Sequence, residues 1–340
     1  MLEVRPTEAV ACPDCGTQFA AHFLICPGCH RLVHAEDLKR LAGEAASAES
    51  AGEWSTALVA WRSALELLPP GSKQYGAISA KVAELGKKAD AGPAPRSTVG
   101  KPGWAGNAAG IGTMALMVAG KAKFLLLGLT KLSTLASMFV TVGAYWTLWG
   151  WPFAIGLVVT TYIHEMGHVA ALVRYGIKAD APMFIPGIGA VIRARQRLAN
   201  PREEAQVGLA GPLWGLGSVG ACYLAFLGTG ELMFAAIAKL AAVINLFNLI
   251  PVWQLDGGHA YRAFSRPQRW LLAAVTSAVW ATMPETEDVP YYMVFALMIC
   301  AVARAAFGKP EKSSDAFSAA EYAGLVVALA VALRIPAPMP

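Results

Sequence analysis

The sequence predicts a mainly α-helical, polytopic membrane protein of about six or seven spans with a small soluble front end. Two observations carry that reading. Runs of about 20 apolar residues fill most of the chain after position 110, and the charges crowd into the first 90 residues and a few short loops. Of the 340 residues, 56% are hydrophobic and only 15% charged, where soluble domains carry about 25%. A helix needs roughly 20 residues to cross the hydrocarbon core, so runs of that length read as spans. Several in one chain weigh against the other reading, the long core helices of a large soluble protein. The net charge of +5 is too small to point to nucleic acid and fits basic loops facing the cytoplasm.

In chain order, the front end comes first. Met1 to Val10 contains no apolar h-region, so no cleaved signal peptide is expected and the first hundred residues are expected in the cytoplasm. Cys12-Pro13-Asp14-Cys15 and Cys26-Pro27-Gly28-Cys29 form two C-x-x-C pairs ten residues apart. A two-residue gap turns both thiolates of a pair toward one ion, and two pairs complete a tetrahedron with no open position. The spacing resembles that of zinc ribbons and implies one structural zinc within residues 1–35. A cytoplasmic setting disfavours the alternative of disulfides, and a redox pair has no need of duplication. His22, His30 and His34 read as surface residues, although one could replace a cysteine as ligand. Cys222 and Cys300 lie in apolar runs and read as small buried hydrophobes.

Residues 36–92 turn helical. Gly52-Glu53-Trp54, Ala57, Trp61, Ala64 and Pro69 resemble the second half of a tetratricopeptide repeat, where small residues let two helices approach and proline ends the second. The first half matches poorly and a single unit has nothing to stack on, so a plain helical hairpin is the expectation. Either form suits an interaction module with a protein partner. Residues 93–110 are rich in Gly, Pro and Ala and read as a flexible linker.

The remainder, 111–340, reads as the membrane domain. Candidate spans are 124–149, 153–173, 207–227, 232–252, 270–283, 291–307 and 318–335. The loop from Arg174 to Gln206 holds six basic residues, and others follow the fourth and sixth spans. The alternate loops, at 150–152, 228–231 and 284–290, hold none. That alternation predicts a multi-pass protein of the cell membrane with a cytoplasmic N-terminus.

Within the second span lies His164-Glu165-Met166-Gly167-His168, an H-E-x-x-H on a helix. Residues four apart share a face, about 6 Å apart along the axis, so both imidazoles can reach one ion. Glu165 can reach a water beside that ion without ligating it, as a general base would. Three ionisable groups at lipid depth are costly and mark function by default, the alternative being a polar cluster that bonds helices together. A hydrolytic zinc needs a third protein ligand and one open position. Asp180, Glu203, Glu204, Asp256 and His259 are candidates. The first three lie in the basic loop, where solvated charge is ordinary. Asp256 follows the fourth span on the cytoplasmic side, at the depth of the two histidines.

A transmembrane H-E-x-x-H followed about ninety residues later by Asn248-Leu249-Ile250-Pro251-Val252-Trp253-Gln254-Leu255-Asp256-Gly257 resembles the site-2 proteases, intramembrane zinc metalloproteases of regulated intramembrane proteolysis. The resemblance covers about 150 to 260. It implies a three-helix metalloprotease core with His164, His168 and Asp256 as ligands of a catalytic zinc and Glu165 as base. It also implies that Asn248 positions substrate or stabilises the oxyanion. Ala210-Gly211-Pro212-Leu213-Trp214-Gly215 falls where the family has a Gly-Pro segment. Two departures stand out: no PDZ-like domain lies between the motifs, and Gln254 stands where many relatives have proline. The stretch Ala181 to Val191 corresponds to an extended family segment that either pairs with unwound substrate or packs as a re-entrant loop. His259 reads as a second-shell group or an ordinary helix-end histidine.

The expected function is therefore an intramembrane zinc endopeptidase cutting transmembrane segments of other proteins near the cytoplasmic face. Its partners would be that substrate and the lipid bilayer, with no nucleic acid. The alternatives are a non-catalytic membrane scaffold, against which the intact motifs speak, and a metal transporter, whose ligands would spread along several spans. Two zinc ions per chain, one catalytic and one structural, separate these readings.

Overall fold

The structure, a computed structural model, describes residues 9–20, 23–90, 131–177, 179–187, 189–192, 198, 200–283, 289–309 and 314–335. The expected linker at 93–110 and the first part of the first expected span, 124–130, lie outside the described residues. The chain divides into two compact units, Met1–Ser97 with Arg174–Ile177, and Thr98–Val173 with Lys178–Pro340.

In the first unit, β1 (Ala9–Ala11) pairs antiparallel with β2 (Gln18–Ala20). The two C-x-x-C segments fold into the same turn twice. Cys12 N–H donates to Thr17 O and Gly16 N–H to Cys12 O; Cys26 N–H donates to Arg31 O and His30 N–H to Cys26 O, all at 2.9 Å. The corner of the first turn is Gly16 at φ 73° and that of the second is His30 at φ 59°. His30 thus holds the left-handed corner that glycine usually supplies.

Helices α1 (Ala35–Ser50), α2 (Trp54–Glu66) and α3 (Lys73–Asp90) follow. α1 packs on α2 and α2 on α3. Ala45, Ala57, Leu58 and Val82 are fully buried between them. The predicted two-helix hairpin therefore gains a third helix. Beyond Pro69 the apolar residues Ile78, Val82, Leu85 and Ala89 recur at helical spacing, which gives α3 a face to bury. Glu49 ties the packing at one point, accepting from Trp61 Nε1 at 2.7 Å and pairing with Lys81 Nζ at 2.8 Å.

Among its described residues, the second unit is helical apart from one hairpin. Its helices are α4 (Leu132–Trp149), α5 (Trp151–Arg174), α6 (Pro201–Thr229), α7 (Leu232–Asn248), the short α8 (Asp256–Ala260), α9 (Arg266–Ala281), α10 (Val289–Phe307) and α11 (Ala316–Ala332). Local chemistry sets several starts. Asn200 caps α6, its side-chain oxygen accepting from Glu203 N–H at 2.9 Å, with Pro201 next and Glu203 and Glu204 in the first turn. Gln268 reaches back to Ser265 N–H at 2.8 Å to open α9, and Asp315 caps α11. The core gathers Leu209, Leu246, Leu249, Tyr261, Phe264, Leu297 and Tyr322, all buried.

α6 with 29 residues and α10 with 19 are long and apolar enough to cross a bilayer; α7 and α11, of 17 residues each, are shorter apolar helices. Within 181–191, β3 (Met183–Ile185) and β4 (Gly189–Val191) pair antiparallel with Phe184 opposite Ala190. Phe184 N–H donates to Ser137 Oγ on α4 at 3.2 Å.

Candidate active site

α5 carries His164, Glu165 and His168 on its buried side, with His164 4% and Glu165 8% exposed. α7 ends at Asn248, and the chain turns through Leu249–Leu255 before α8 begins at Asp256. That turn holds Gln254, where the family resemblance leads one to expect proline. It closes instead through Trp253, whose φ of 43° is left-handed, and through Leu255 N–H donating to Val252 O at 3.2 Å. Tyr322 of α11, fully buried, donates its hydroxyl to Leu249 O at 2.6 Å and pins the start of the turn.

The result brings two imidazole nitrogens and the Asp256 carboxylate together. His164 Nε2 lies 3.2 Å from His168 Nε2 and 3.2 Å from Asp256 Oδ2, and His168 Nε2 lies 3.3 Å from Asp256 Oδ1. Zinc bonds of about 2.0–2.1 Å at tetrahedral angles place ligand atoms roughly 3.3 Å apart. Each imidazole points its other nitrogen at an oxygen: His164 Nδ1 is 2.9 Å from Asn245 Oδ1, and His168 Nδ1 is 2.8 Å from Val207 O. Protons on both Nδ1 atoms satisfy these contacts and leave both Nε2 atoms as lone pairs. Asp256 Oδ2 is buried and has no hydrogen-bond donor. With those tautomers, two imidazole lone pairs face the Asp256 carboxylate, an arrangement that a divalent cation stabilises. The donor set, two imidazoles and one carboxylate, fits zinc.

α6 forms the facing wall, and it does so with glycine. A Cβ at Gly211 would overlap both imidazoles, and one at Gly215 would overlap the Asn245 amide. The close packing expected of Ala210–Gly215 is therefore specific to the site. Asn248 sits at the rim, its Nδ2 3.5 Å from His164 Nε2. The other candidate ligands are not part of the cluster. Glu204 pairs with Arg262 at 2.9 Å, Glu203 is buried at the cap of α6, and Asp180 and His259 lie outside the ligand group. Asn245 carries no role in the sequence reading; its signal is a polar residue inside the apolar run Ala241–Ile250.

The second cluster is Cys12, Cys15, Cys26 and Cys29, in the first unit. Sγ separations are 3.7 Å for Cys12–Cys29 and 3.5 Å for Cys15–Cys26. Zn–S bonds of about 2.3 Å predict roughly 3.8 Å. The Thr17 side chain, 3.2 Å from Cys15 Sγ, and the Thr17 backbone together lower the Cys15 thiol to about 6, whereas burial and the neighbouring cysteines push Cys29 up to about 12.

Among curated proteins, a zinc metalloprotease of Methanocaldococcus jannaschii is 32% identical over 113 residues, covering 32% of this chain and 32% of the relative. A probable chloroplastic zinc metalloprotease of Arabidopsis thaliana is 24% identical over 190 residues, covering 43% of this chain and 34% of the relative. The matched segments span about a third of the length of these relatives. No family model matches the chain, and no solved structure does. The chain is related to zinc metalloproteases, in agreement with the resemblance carried by its H-E-x-x-H and Asp256 motifs.

Proposed function

We propose that the chain is an intramembrane zinc endopeptidase of the site-2 protease type, cleaving transmembrane segments of other proteins near the cytoplasmic face. The observation that carries the reading is the buried convergence of His164, His168 and Asp256 lone pairs, with Asp256 Oδ2 lacking any donor. The names of the relatives support protease chemistry. Two helices able to cross a bilayer support the membrane setting.

His164 and His168 on α5 and Asp256 on α8 would hold one zinc, with α5, α6 and α7 as a three-helix core. Bound there, zinc supplies Lewis acidity toward a scissile carbonyl and lowers the pKa of the attacking water. Glu165, next to the first ligand and buried, takes the proton from that water and later delivers it to the leaving amine. The Asn248 amide, at the rim of the site, donates to the substrate carbonyl as negative charge develops there. A helical segment resists attack because its peptide groups are already hydrogen-bonded, so the substrate must unwind locally. The β3–β4 hairpin offers an extended backbone against which such a strand could pair.

The remaining organisation follows the same proposal: a cytoplasmic zinc ribbon over 1–35, an interaction module over 36–92, a linker over 93–110, and six or seven spans over 111–340. The four cysteines would hold the second, structural zinc. Replacing Glu165 by Gln should keep the zinc and lower cleavage of a single-span substrate in reconstituted vesicles by at least ~10²–10⁴-fold. Undiminished turnover by that variant would refute the assignment.

A further inference from the structure

We infer that Asn245 is a positioning residue that commits His164 to the one tautomer able to bind the ion. The inference rests on the metal-site reading above. Asn245 is 3% exposed and lies on α7, one turn before Asn248. Its Nδ2 donates to Ala241 O at 2.7 Å, and its Oδ1 faces His164 Nδ1 at 2.9 Å.

These two contacts are coupled by the amide's own asymmetry. Turned over, the group would set Oδ1 against the Ala241 carbonyl, acceptor against acceptor. It would also present an N–H to His164 Nδ1 and drive the imidazole proton onto Nε2, where no metal could bind. The Ala241 carbonyl therefore holds the amide one way round, and the amide holds the ring. Gly215 leaves the space that this requires, since a Cβ there would overlap the amide. His168 obtains the same service from a backbone carbonyl, Val207 O. Of the two imidazole supports, only the one on His164 is a side chain open to substitution.

The test counts zinc per full-length chain across a chelator series, so it reads the ion and not the reaction. Asn245→Leu keeps the size and removes the acceptor. It should weaken the ion at the histidine site by roughly 10–100-fold while the cysteine site is unchanged. Asn245→Asp keeps an oxygen on His164 Nδ1, although its second oxygen then meets the Ala241 carbonyl, and it should hold zinc more tightly than Asn245→Leu. Excess zinc should restore cleavage by Asn245→Leu, which a packing defect would not allow. Native zinc retention by Asn245→Leu overturns the inference. So does equal loss in the Leu and Asp variants, and the Asp variant still decides if the Leu variant does not fold. A native chain with no ion at the histidine site would sink the protease reading instead. Zinc binding without cleavage would sink that reading too, and leave the role of Asn245 standing.

Discussion

The chain builds two candidate metal sites by opposite means. The cysteine site takes four donors of one kind from two copies of one turn, all within 18 residues. The histidine site takes three donors of two kinds from helices separated by about ninety residues of sequence. The first is closed and local, so a metal there can only hold the chain together. The second exists only after α5, α6, α7 and α8 have packed, so its geometry is a product of the fold. A structural site is legible in spacing, whereas a reactive one must be assembled across the bundle.

The comparison breaks most sharply at Asp256. Asp256→Ala should abolish cleavage and remove one zinc of two, leaving the cysteine-bound ion in place; elemental analysis of the purified variant reads both. Loss of both ions would mean that the sites are not independent. The converse pair, Cys12→Ser with Cys15→Ser, should release the other ion and expose the amides of the two turns to hydrogen exchange. Cleavage of a minimal single-span peptide should then persist, and its disappearance would tie the front unit to catalysis.

A smaller effect tests the glycine wall. Gly211→Ala adds one methyl where the imidazoles lie, a cost of about 1–3 kcal/mol in a packed core. It should appear as a zinc dissociation constant raised by roughly 5–150-fold, and an unchanged constant would show that α6 yields easily. The smallest effect is expected at Asn200, whose side chain caps α6 and is not part of the histidine cluster. Asn200→Ala should cost about 1 kcal/mol in stability with zinc stoichiometry unaltered.

Much of this was legible in the residues. The apolar runs anticipated seven helices of the second unit, and the two motifs anticipated the donors that the fold brings together. The misses have separate causes. The helical pattern over 36–92 reads as a hairpin of two helices, but the chain breaks once more between Glu66 and Lys73, where Pro69 and Gly71 stand, so α3 is a third helix. α7 stops at Asn248 and not at 252, because Pro251 removes a backbone N–H and restricts the residue before it. Asn245 was invisible as a partner because the residue it serves lies 81 positions away. No periodicity encodes such a pairing; only the crossing of α5 and α7 does.

The glycine face of α6 has one consequence for how this protein can change over time. Most pockets are sculpted by side chains, and a neighbour's shrinkage can offset a neighbour's growth. Here the wall is bare main chain at Gly211 and Gly215, with nothing left to trim. Every replacement there can only encroach, so inheritance should preserve these two positions more strictly than many residues that do the chemistry's lifting from afar. Variation in what the protein acts upon must then arise from other surfaces.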